Sequence, residues 1–365
     1  MSNISAVRFL KAEKGGFYDV LKARVNDYFE SNNISRHANG AMIFKTALIL
    51  SVFWGSYLLL LSNMFSVWQM LLLAMLNGFA AALIGLNIAH DAIHGSYSSK
   101  KWVNKSLAVI FNIIGANDYM WNISHNIVHH SFTNIPDHDE DIEQIPIIRL
   151  NPKQELWKIH RYQHIYTFFL YALTSISWVF IKDYKKFFQD KIGSYTMKNP
   201  TVEYIRLFGF KIIYYVLFLA VPLLVIELAW WQILIGFVIL HFVEGLTLAL
   251  IFQLAHVVEG TQFPEPDEKG KIQDDWAAHQ MRTTSDFATG YPIINFLFGG
   301  LNFQVEHHLF PKVCHIHYTK LAPIVKQTAE EYGLPYHSHK TFIGAIRSHM
   351  FMLKQFGTQK NLKVA

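Results

Sequence analysis

The stretch SVWQMLLLAMLNGFAAALIGLNIAHDAIH, residues 66–94, decides the fold. It carries no Lys or Arg, is long enough to cross a bilayer, and ends on two histidines four residues apart, His90 and His94. A membrane-spanning helix needs about 20 mainly apolar residues, and side chains four residues apart share one face of a helix. The stretch therefore predicts a membrane helix that ends in a pair of metal-binding side chains.

The pair HDAIH nearly matches H-E-x-x-H, the zinc-protease signature in which the glutamate acts as general base. Asp91 would have to replace that glutamate, and its side chain is one methylene shorter. A lone pair of histidines at this spacing is a weak signal. The rest of the chain must therefore decide between a protease and a different metal centre.

The composition indicates a surface that is partly covered by lipid. Of 365 residues, 52% are hydrophobic and only 16% are charged, against about 25% charged in average soluble domains. The single cysteine, Cys314, excludes an internal disulfide and every CxxC metal motif. The net charge of +5 comes from scattered cations, and no nucleic-acid recognition module is present. We therefore expect a lipid bilayer as a partner and no nucleic acid.

Two windows without Lys or Arg, residues 46–99 and 212–268, each have room for two spans. We expect the four spans at residues 43–62, 66–88, 211–230 and 232–255. The connections within each window are too short to hold a domain, so each window is predicted to be a helical hairpin. Buried core helices of a soluble protein are the alternative, and the lack of charge together with the interfacial Trp230 and Trp231 disfavours it.

These features predict an all-α integral membrane protein that forms a single domain over residues 1–365. We expect four transmembrane helices in two hairpins, about 43–88 and 211–255, and a cytosolic helical cap, about 89–210 and 256–365, that holds a site for two metals. All 32 cations lie outside the hairpin tips. By the positive-inside rule, both termini and the metal site of this multi-pass protein are expected on the cytosolic side.

Two further histidine clusters follow the first, HNIVHH at 125–130 and QVEHH at 304–308. His125 and His129 share one helical face, whereas His130 projects about 100° away and could reach a second metal. Seven imidazoles exceed the three protein ligands of a catalytic zinc site, so the count suits two metal ions. Imidazole ligands accept iron, copper, zinc or nickel, and the residues alone leave the metal open.

The three clusters resemble the histidine boxes of membrane fatty-acid desaturases, over residues of about 40–345. QVEHHLFP (304–311) is similar to the third box of front-end desaturases, which insert a double bond between an existing one and the carboxyl end. The family also uses a histidine at the cytosolic end of the fourth span, where FQLAHVVEG (252–260) offers one. The resemblance implies these iron ligands: His90, His94, His125, His129, His130, His256, His307 and His308.

Two glutamines have open roles in this interpretation. Gln304 stands where many relatives have histidine, and its amide could bind a metal directly, through a water, or only form a hydrogen bond. Gln253, one turn before the fourth-span histidine, could hold a metal-bound water. Several acids are expected to orient imidazoles through the second ring nitrogen: Asp91, Asp137, Asp139 and Asp141. For the acidic run PDHDEDIEQ (136–144), a solvated loop is the alternative.

Other histidines are expected to have lesser roles. His160 and His164 lie among cations and are predicted on a surface helix. His241, deep in the fourth span, is predicted to close a hydrogen bond between helices or to border a substrate tunnel. His315 and His317 are predicted at the surface or behind the metal ligands.

The resemblance implies an oxygen-dependent fatty acyl desaturase that makes a cis double bond, with two iron ions as cofactor. O2 is the co-substrate and is reduced to water, and the metal centre itself is catalytic, without a separate protein nucleophile or base. The substrate is an acyl-CoA or an acyl-lipid. The chain has no G-x-G-x-x-G fingerprint and no His-Pro-Gly-Gly haem motif. We therefore expect no bound nucleotide and no fused haem-cytochrome domain, and a separate electron donor, a ferredoxin or a small haem cytochrome with its reductase.

Several alternatives share some of these features. A fatty acyl hydroxylase or another di-iron lipid oxygenase would use the same boxes. A metal transporter or a haem membrane protein is the non-enzyme alternative, although a transporter would place its polar ligands near mid-membrane. A protease is disfavoured because five further box histidines would have no purpose.

Overall fold

The computed structural model describes residues 7–143 and 145–360. Residue 144 and both chain ends (1–6 and 361–365), whose cytosolic side the sequence predicts, lie outside the described residues. The described chain is mostly helical. Its α-helices run Phe17–Ser31, Gly40–Leu61, Val67–Leu83, His90–His94, Lys101–Ala108, Ile110–Ile113, Asp118–Trp121, His130–Phe132, Gln163–Ala172, Thr174–Ser177, Asp183–Phe187, Thr201–Tyr215, Val221–Val225, Trp230–His256, Trp276–Thr283, Pro292–Leu297, Gln304–Leu309, Tyr318–Glu331 and Phe342–Thr358.

Helices of other pitch and short strands connect these elements. Segments of π-helix run Ile84–Ala89, Asn122–His129, Trp178–Lys182 and Val216–Ala220, and 3-10 turns run Glu140–Ile142, Lys158–Tyr162 and His315–His317. The all-α prediction needs one correction, because short strands are present. Lys191–Ile192 pairs antiparallel with Tyr195–Thr196, and Ser285–Phe287 pairs parallel with His337–His339.

The expected spans occur with shifted ends. Helices long and apolar enough to cross a bilayer run Gly40–Leu61, Val67–His94, Thr201–Val225 and Trp230–His256. A further pair, Lys158–Ala172 and Thr174–Phe187, passes the same test together but is bent by 57°. The second span is longer than predicted, because the π-helical segment Ile84–Ala89 continues it into His90–His94. The first histidine pair is therefore the end of the span itself.

The third span begins at Thr201 and not near residue 211 as predicted. The prediction placed this span in the window without Lys or Arg that begins at residue 212, but Arg206 and Lys211 both lie inside the helix with their charges offset. Arg206 Nη2 lies 2.7 Å from an oxygen of Asp118, and the buried Nζ of Lys211 donates to Asp183 at 2.8 Å. Neutralised in this way, the two cations do not end the helix.

The second and fourth spans form the central pair of helices. They pack side by side, whereas the third span meets the fourth near the connection between them. Gly78 makes the close approach possible, because a Cβ at that position would lie 2.1 Å from the carbonyl oxygen of Leu240. Both central spans begin at a short connection and end on histidines, His94 and His256. Their packing therefore brings two of the predicted ligand positions to the same end of the bundle.

The segments outside the spans cover the histidine ends. The helix Phe17–Ser31 packs on Tyr318–Glu331 through a core that also contains Val305 and Leu309 of the third box. The parallel strand pair holds Ser285–Phe287 just before that box. The third box is therefore fixed between the N-terminal helix and the C-terminal part of the chain.

Candidate metal centre

Four box histidines from three parts of the chain meet at one point. His90 and His94 come from the end of the second span, His125 from the π-helical segment Asn122–His129, and His307 from the helix Gln304–Leu309. One ring nitrogen of each lies within 4.8 Å of those of the others. We call these residues the first histidine group. Metals bind imidazole nitrogens at about 2 Å, so the spacing suits one shared ion.

A second set of three histidines meets in the same way. His129, His256 and His308 each offer a ring nitrogen within 4.8 Å of the other two, and we call them the second histidine group. The second box contributes to both groups, and so does the third. His129 was expected to share a metal with His125, and the structure also keeps that arrangement open, because ring nitrogens of His125 and His129 lie within 4.8 Å of each other and of a carboxylate oxygen of Asp141. The π-helical turns carry His129 toward the fourth span.

His130 lies between the two groups. Its ring centre is 4.6 Å from that of His307 in the first group and 4.3 Å from that of His308 in the second. Its Nε2 is 3.3 Å from the Nε2 of His125. His130 therefore lies at the boundary between the two groups and could contribute to either. The sequence prediction that it reaches a second metal is compatible with this position.

The second ring nitrogen of several group members has a fixed partner. His129 Nδ1 donates to Asp139 at 2.9 Å, and His308 Nδ1 donates to the side-chain oxygen of Gln280 at 2.7 Å. His256 Nδ1 donates to the carbonyl oxygen of Thr283 at 3.2 Å. His307 Nδ1 lies 3.3 Å from the hydroxyl of Tyr318. Such partners fix the tautomer and leave Nε2 as the free ligand atom.

The free Nε2 atoms test whether a metal fits. Six of them are buried without a hydrogen-bond partner in the described part of the chain: those of His90, His94, His129, His256, His307 and His308. An unpaired buried polar atom costs about 1–3 kcal/mol. Six such atoms together would strongly destabilise the folded protein. Metal ligation satisfies all of them at once. The residues present therefore fit two metal ions.

Charge favours the same conclusion. Burial, and then the neighbouring imidazoles, hold the pKa of His125, His130, His307 and His308 well below the ordinary value. These rings are neutral at pH 7 and keep a lone pair for a metal. Burial also lowers the pKa of His129, but the attraction of Asp139 outweighs burial and raises it. This carboxylate makes the His129 ring the more basic ligand.

The predicted acids divide into those near the histidines and one that is elsewhere. Asp139 binds His129 directly, and Asp141 lies 3.7 Å from the same Nδ1. Asp91 lies 3.7 Å from His90 Nδ1 but bonds His315 at 2.9 Å. Asp137 does not reach any histidine of the two groups, because its exposed side chain pairs with Lys153. For Asp137 the structure favours the solvated-loop alternative.

The two glutamines are buried near the groups. Gln304 has no exposed surface, and neither polar atom of its side chain has a hydrogen-bond partner within the described residues. Gln253 donates a long hydrogen bond to the carbonyl oxygen of Asp141 at 3.4 Å. Its Oε1 has no hydrogen-bond partner among the described residues. Both amides thus have free acceptor atoms, as a metal-bound water or a metal would require.

Two buried acids hold the helix that carries the third box. Asp286 accepts from the backbone N–H of Val305 at 3.0 Å, and Tyr336 donates to Asp286 at 2.6 Å and to Glu306 at 3.0 Å. Burial raises the pKa of Asp286 to about 6. Burial and the neighbouring Asp286 also raise the pKa of Glu306. The two carboxyl groups and the phenol therefore share protons and fix the start of the helix.

Sequence reasoning missed Gln280, Thr283 and Tyr318, which lie outside the boxes and contact the second ring nitrogen of ligand histidines. Their sequence neighbourhood carries no signal for this role, because none of the three belongs to a recognisable motif. His160 was predicted at a surface, but it is buried and bonds the carbonyl oxygen of Pro146. Its role there is to satisfy backbone groups.

His241 has the interhelical contacts that the sequence predicts. Its Nε2 lies 2.7 Å from the hydroxyl of Tyr214 on the third span, and its Nδ1 lies 2.9 Å from Ser175 Oγ on the bent pair of helices. The fourth span is thus tied to two neighbours through one imidazole.

A cavity of about 70 Å³ lies beside the histidines. Its wall combines apolar side chains (Met120, Trp178, Leu248 and Phe252) with His125, His129 and His256 and with charged side chains away from the histidines (Lys182, Asp183 and Lys186). An apolar wall next to a metal site suits an unreactive hydrocarbon better than a peptide or a sugar.

Comparison with known proteins agrees with this chemistry. The model of the family described as fatty acid desaturase matches residues 66–340. The sn-1 linoleoyl-lipid 6-desaturase of Arthrospira platensis is 37% identical over 99% of this chain and 98% of its own length. An acyl-lipid (8-3)-desaturase of Physcomitrium patens is 36% identical over 97% of this chain and 74% of its own. The sn-1 linoleoyl-lipid 6-desaturase of a Synechocystis species is 34% identical over 97% and 99%. These matches span most of the chain, which therefore belongs to the fatty acid desaturase family.

Proposed function

We propose that this protein is a front-end fatty acyl desaturase that acts on acyl chains held in lipids and uses two iron ions at the two histidine groups. The observation that carries the proposal is the convergence of buried, unpaired imidazole nitrogens on two adjacent points beside a cavity whose wall is apolar in part. The names of the similar proteins, which act on linoleoyl-lipid or acyl-lipid chains, support the lipid carrier. The third box, QVEHHLFP, supports the front-end type.

The residues of the site have positioning roles in this reaction. Bound iron would supply the oxidising power, drawn from O2, that removes two hydrogens from adjacent methylenes, since no protein side chain can do so. The histidines hold the two ions side by side, and Asp139 and Gln280 keep His129 and His308 in the tautomer that presents Nε2. The apolar wall around Trp178 would align the chain, because proximity decides which methylene reacts.

We also propose the arrangement in the membrane. The common end of the second and fourth spans, where the histidines lie, supports two hairpins with a helical cap on that side. The placement of the cations outside the hairpin tips supports a cytosolic cap. A separate ferredoxin or small haem cytochrome with its reductase would deliver the electrons, in keeping with the lack of a dinucleotide fingerprint.

Expression in a yeast host that lacks polyunsaturated fatty acids tests the function. The host is fed defined fatty acids, and the acyl chains are identified by gas chromatography and mass spectrometry within each lipid class and in the acyl-CoA pool. We expect a new double bond on the carboxyl side of an existing one, and we expect it to appear in lipids first. His125→Ala should abolish this product. His339→Ala, which changes a half-buried histidine outside both groups, is the control.

Two outcomes would overturn parts of the proposal. A hydroxylated chain in place of an unsaturated one would identify a hydroxylase. Product that appears first in the acyl-CoA pool would refute the lipid carrier while leaving desaturation intact.

A further inference from the structure

A buried lysine of the first span lies close to the first histidine group. Lys45 lies near the start of the first span, and its side chain is only 3% exposed. Its Nζ lies 3.0 Å from the Nε2 of His315 and 4.8 Å from the ring centre of Phe296. A buried ammonium group is costly unless it is paired, so this position needs an explanation.

The hydrogen atoms of this contact can be assigned from chemistry. An ammonium group has three donors and no acceptor, so the Nε2 of His315 must accept from Lys45. The neutral His315 ring then carries its proton on Nδ1, which donates to Asp91 at 2.9 Å. The backbone N–H of His315 also points to Asp91, at 3.3 Å. The result is a directed chain from a cation, through a neutral imidazole, to a carboxylate.

The chain ends at a ligand of the first histidine group. The other oxygen of Asp91 lies 3.7 Å from the Nδ1 of His90, and the carboxylate is only 1% exposed. A carboxylate at that position favours the tautomer of His90 with its proton on Nδ1. At 3.7 Å this contact is electrostatic, since neither ring nitrogen of His90 has a hydrogen-bond partner within residues 7–143 and 145–360, and a proton drawn to Nδ1 leaves the lone pair on Nε2.

We propose that Lys45 is a positioning residue for the first histidine pair, acting through His315 and Asp91 on His90. The proposal rests on the metal binding argued above and adds residues that lie outside the histidine boxes. It also gives the first span, which contributes no box histidine, a part in the metal centre. Removal of the cation leaves the His315 nitrogen unsatisfied and the Asp91 charge uncompensated, and the orientation of His90 is lost.

Metal affinity is the direct readout. Apo wild-type protein and its variants in detergent are titrated with ferrous iron against a competing chelator under anaerobic conditions, and bound iron per polypeptide is measured by mass spectrometry. Loss of a residue behind a metal ligand typically weakens metal binding by about 10–100-fold, and we expect a loss in this range for Lys45→Met. Lys45→Gln keeps a polar side chain without the charge and should lose less.

Lys211→Met is the matched control. Lys211 is also a buried lysine of a span with a carboxylate partner, Asp183 at 2.8 Å, and it contacts no histidine of either group. We expect Lys211→Met to lower the unfolding midpoint and to keep wild-type iron affinity per folded protein.

The outcomes distinguish a failure of the proposed metal function from a failure of the positioning role of Lys45. Wild-type protein that binds no iron would refute the proposed metal function. Wild-type binding with unchanged affinity in Lys45→Gln and in any folded Lys45→Met would refute the positioning role alone. An equal loss of affinity in Lys211→Met would also refute it, because the effect would then be general damage to the spans.

Discussion

Replacing Gly78 by alanine should damage the metal centre from a distance. Gly78 lies where the second span touches the fourth, and an added Cβ would lie 2.1 Å from the carbonyl oxygen of Leu240. Real Cβ atoms essentially never approach closer than 3.0 Å. The neighbour is backbone and cannot rotate away, so the two spans must separate by roughly 1 Å.

The separation has a cost in stability and a larger cost in activity. Overpacking of this kind destabilises by about 1–3 kcal/mol. The second span carries His90 and His94, and the fourth carries His256. A shift of about 1 Å between groups that must act together can lower a rate by about 100-fold. We therefore expect desaturated product per folded protein to fall by between 10-fold and 100-fold.

Gly236→Ala is the matched control for this experiment. Gly236 lies on the fourth span, and a Cβ there would meet nothing within 4 Å. Product is measured by gas chromatography of acyl chains from the expression host, folded protein by its monodisperse fraction in detergent, and stability by the unfolding midpoint. Wild-type product per folded protein in Gly78→Ala would refute the reasoning, even if its unfolding midpoint fell.

Further predictions concern an acid beside the metal centre and the dependence of stability on pH. Asp139→Asn should weaken iron binding by about 10–100-fold, because the Nδ1 of His129 loses its charged acceptor. Asp137→Asn alters an exposed carboxylate and serves as the control, so equal losses in both variants would contradict the assignment. Burial lowers the pKa of His349 from 6.5 to about 4, so its contribution to stability is present above pH 6.5 and is lost as the pH falls toward 4. In apo His349→Gln, the loss in free energy of unfolding between pH 6.5 and pH 4 should be smaller than in the wild type by up to roughly 3 kcal/mol. An equal loss in the variant and the wild type would argue against this role of His349.

The sequence was sufficient to predict the parts of the structure that depend on local chemistry. Long windows without Lys or Arg reveal spans because lipid tolerates few charges, whatever the tertiary structure. Box histidines are recognisable because an imidazole at helical spacing has few other uses in a charge-poor chain. The prediction was weaker where a charge is offset by a distant partner. The window without Lys or Arg begins at residue 212, and only the partners Asp118 and Asp183, both far along the chain, explain why the helix also contains Arg206 and Lys211.

The division of the histidines between two metals was beyond the sequence for a different reason. Helical periodicity assigns His125 and His129 to one face, which suggests one shared metal. In the structure, His129 keeps a ring nitrogen within 4.8 Å of one of His125, and the π-helical segment and the packing of the fourth span also bring it to His256. A π-helical segment has no reliable sequence signature, and its stability depends on the surrounding contacts.

The same reasoning explains why the residues that support the ligands are not in the boxes. Few side chains can bind a metal directly, so the identity of a ligand is constrained. The group behind it needs only an acceptor, which an amide, a carbonyl or a carboxylate can supply equally well. Gln280, the Thr283 carbonyl and Asp139 use all three chemistries for one purpose. The sequence predicted this role for Asp139, whereas Gln280 and Thr283 are found only from the fold, and all three are places where substitutions would alter metal affinity while every box histidine remains in place.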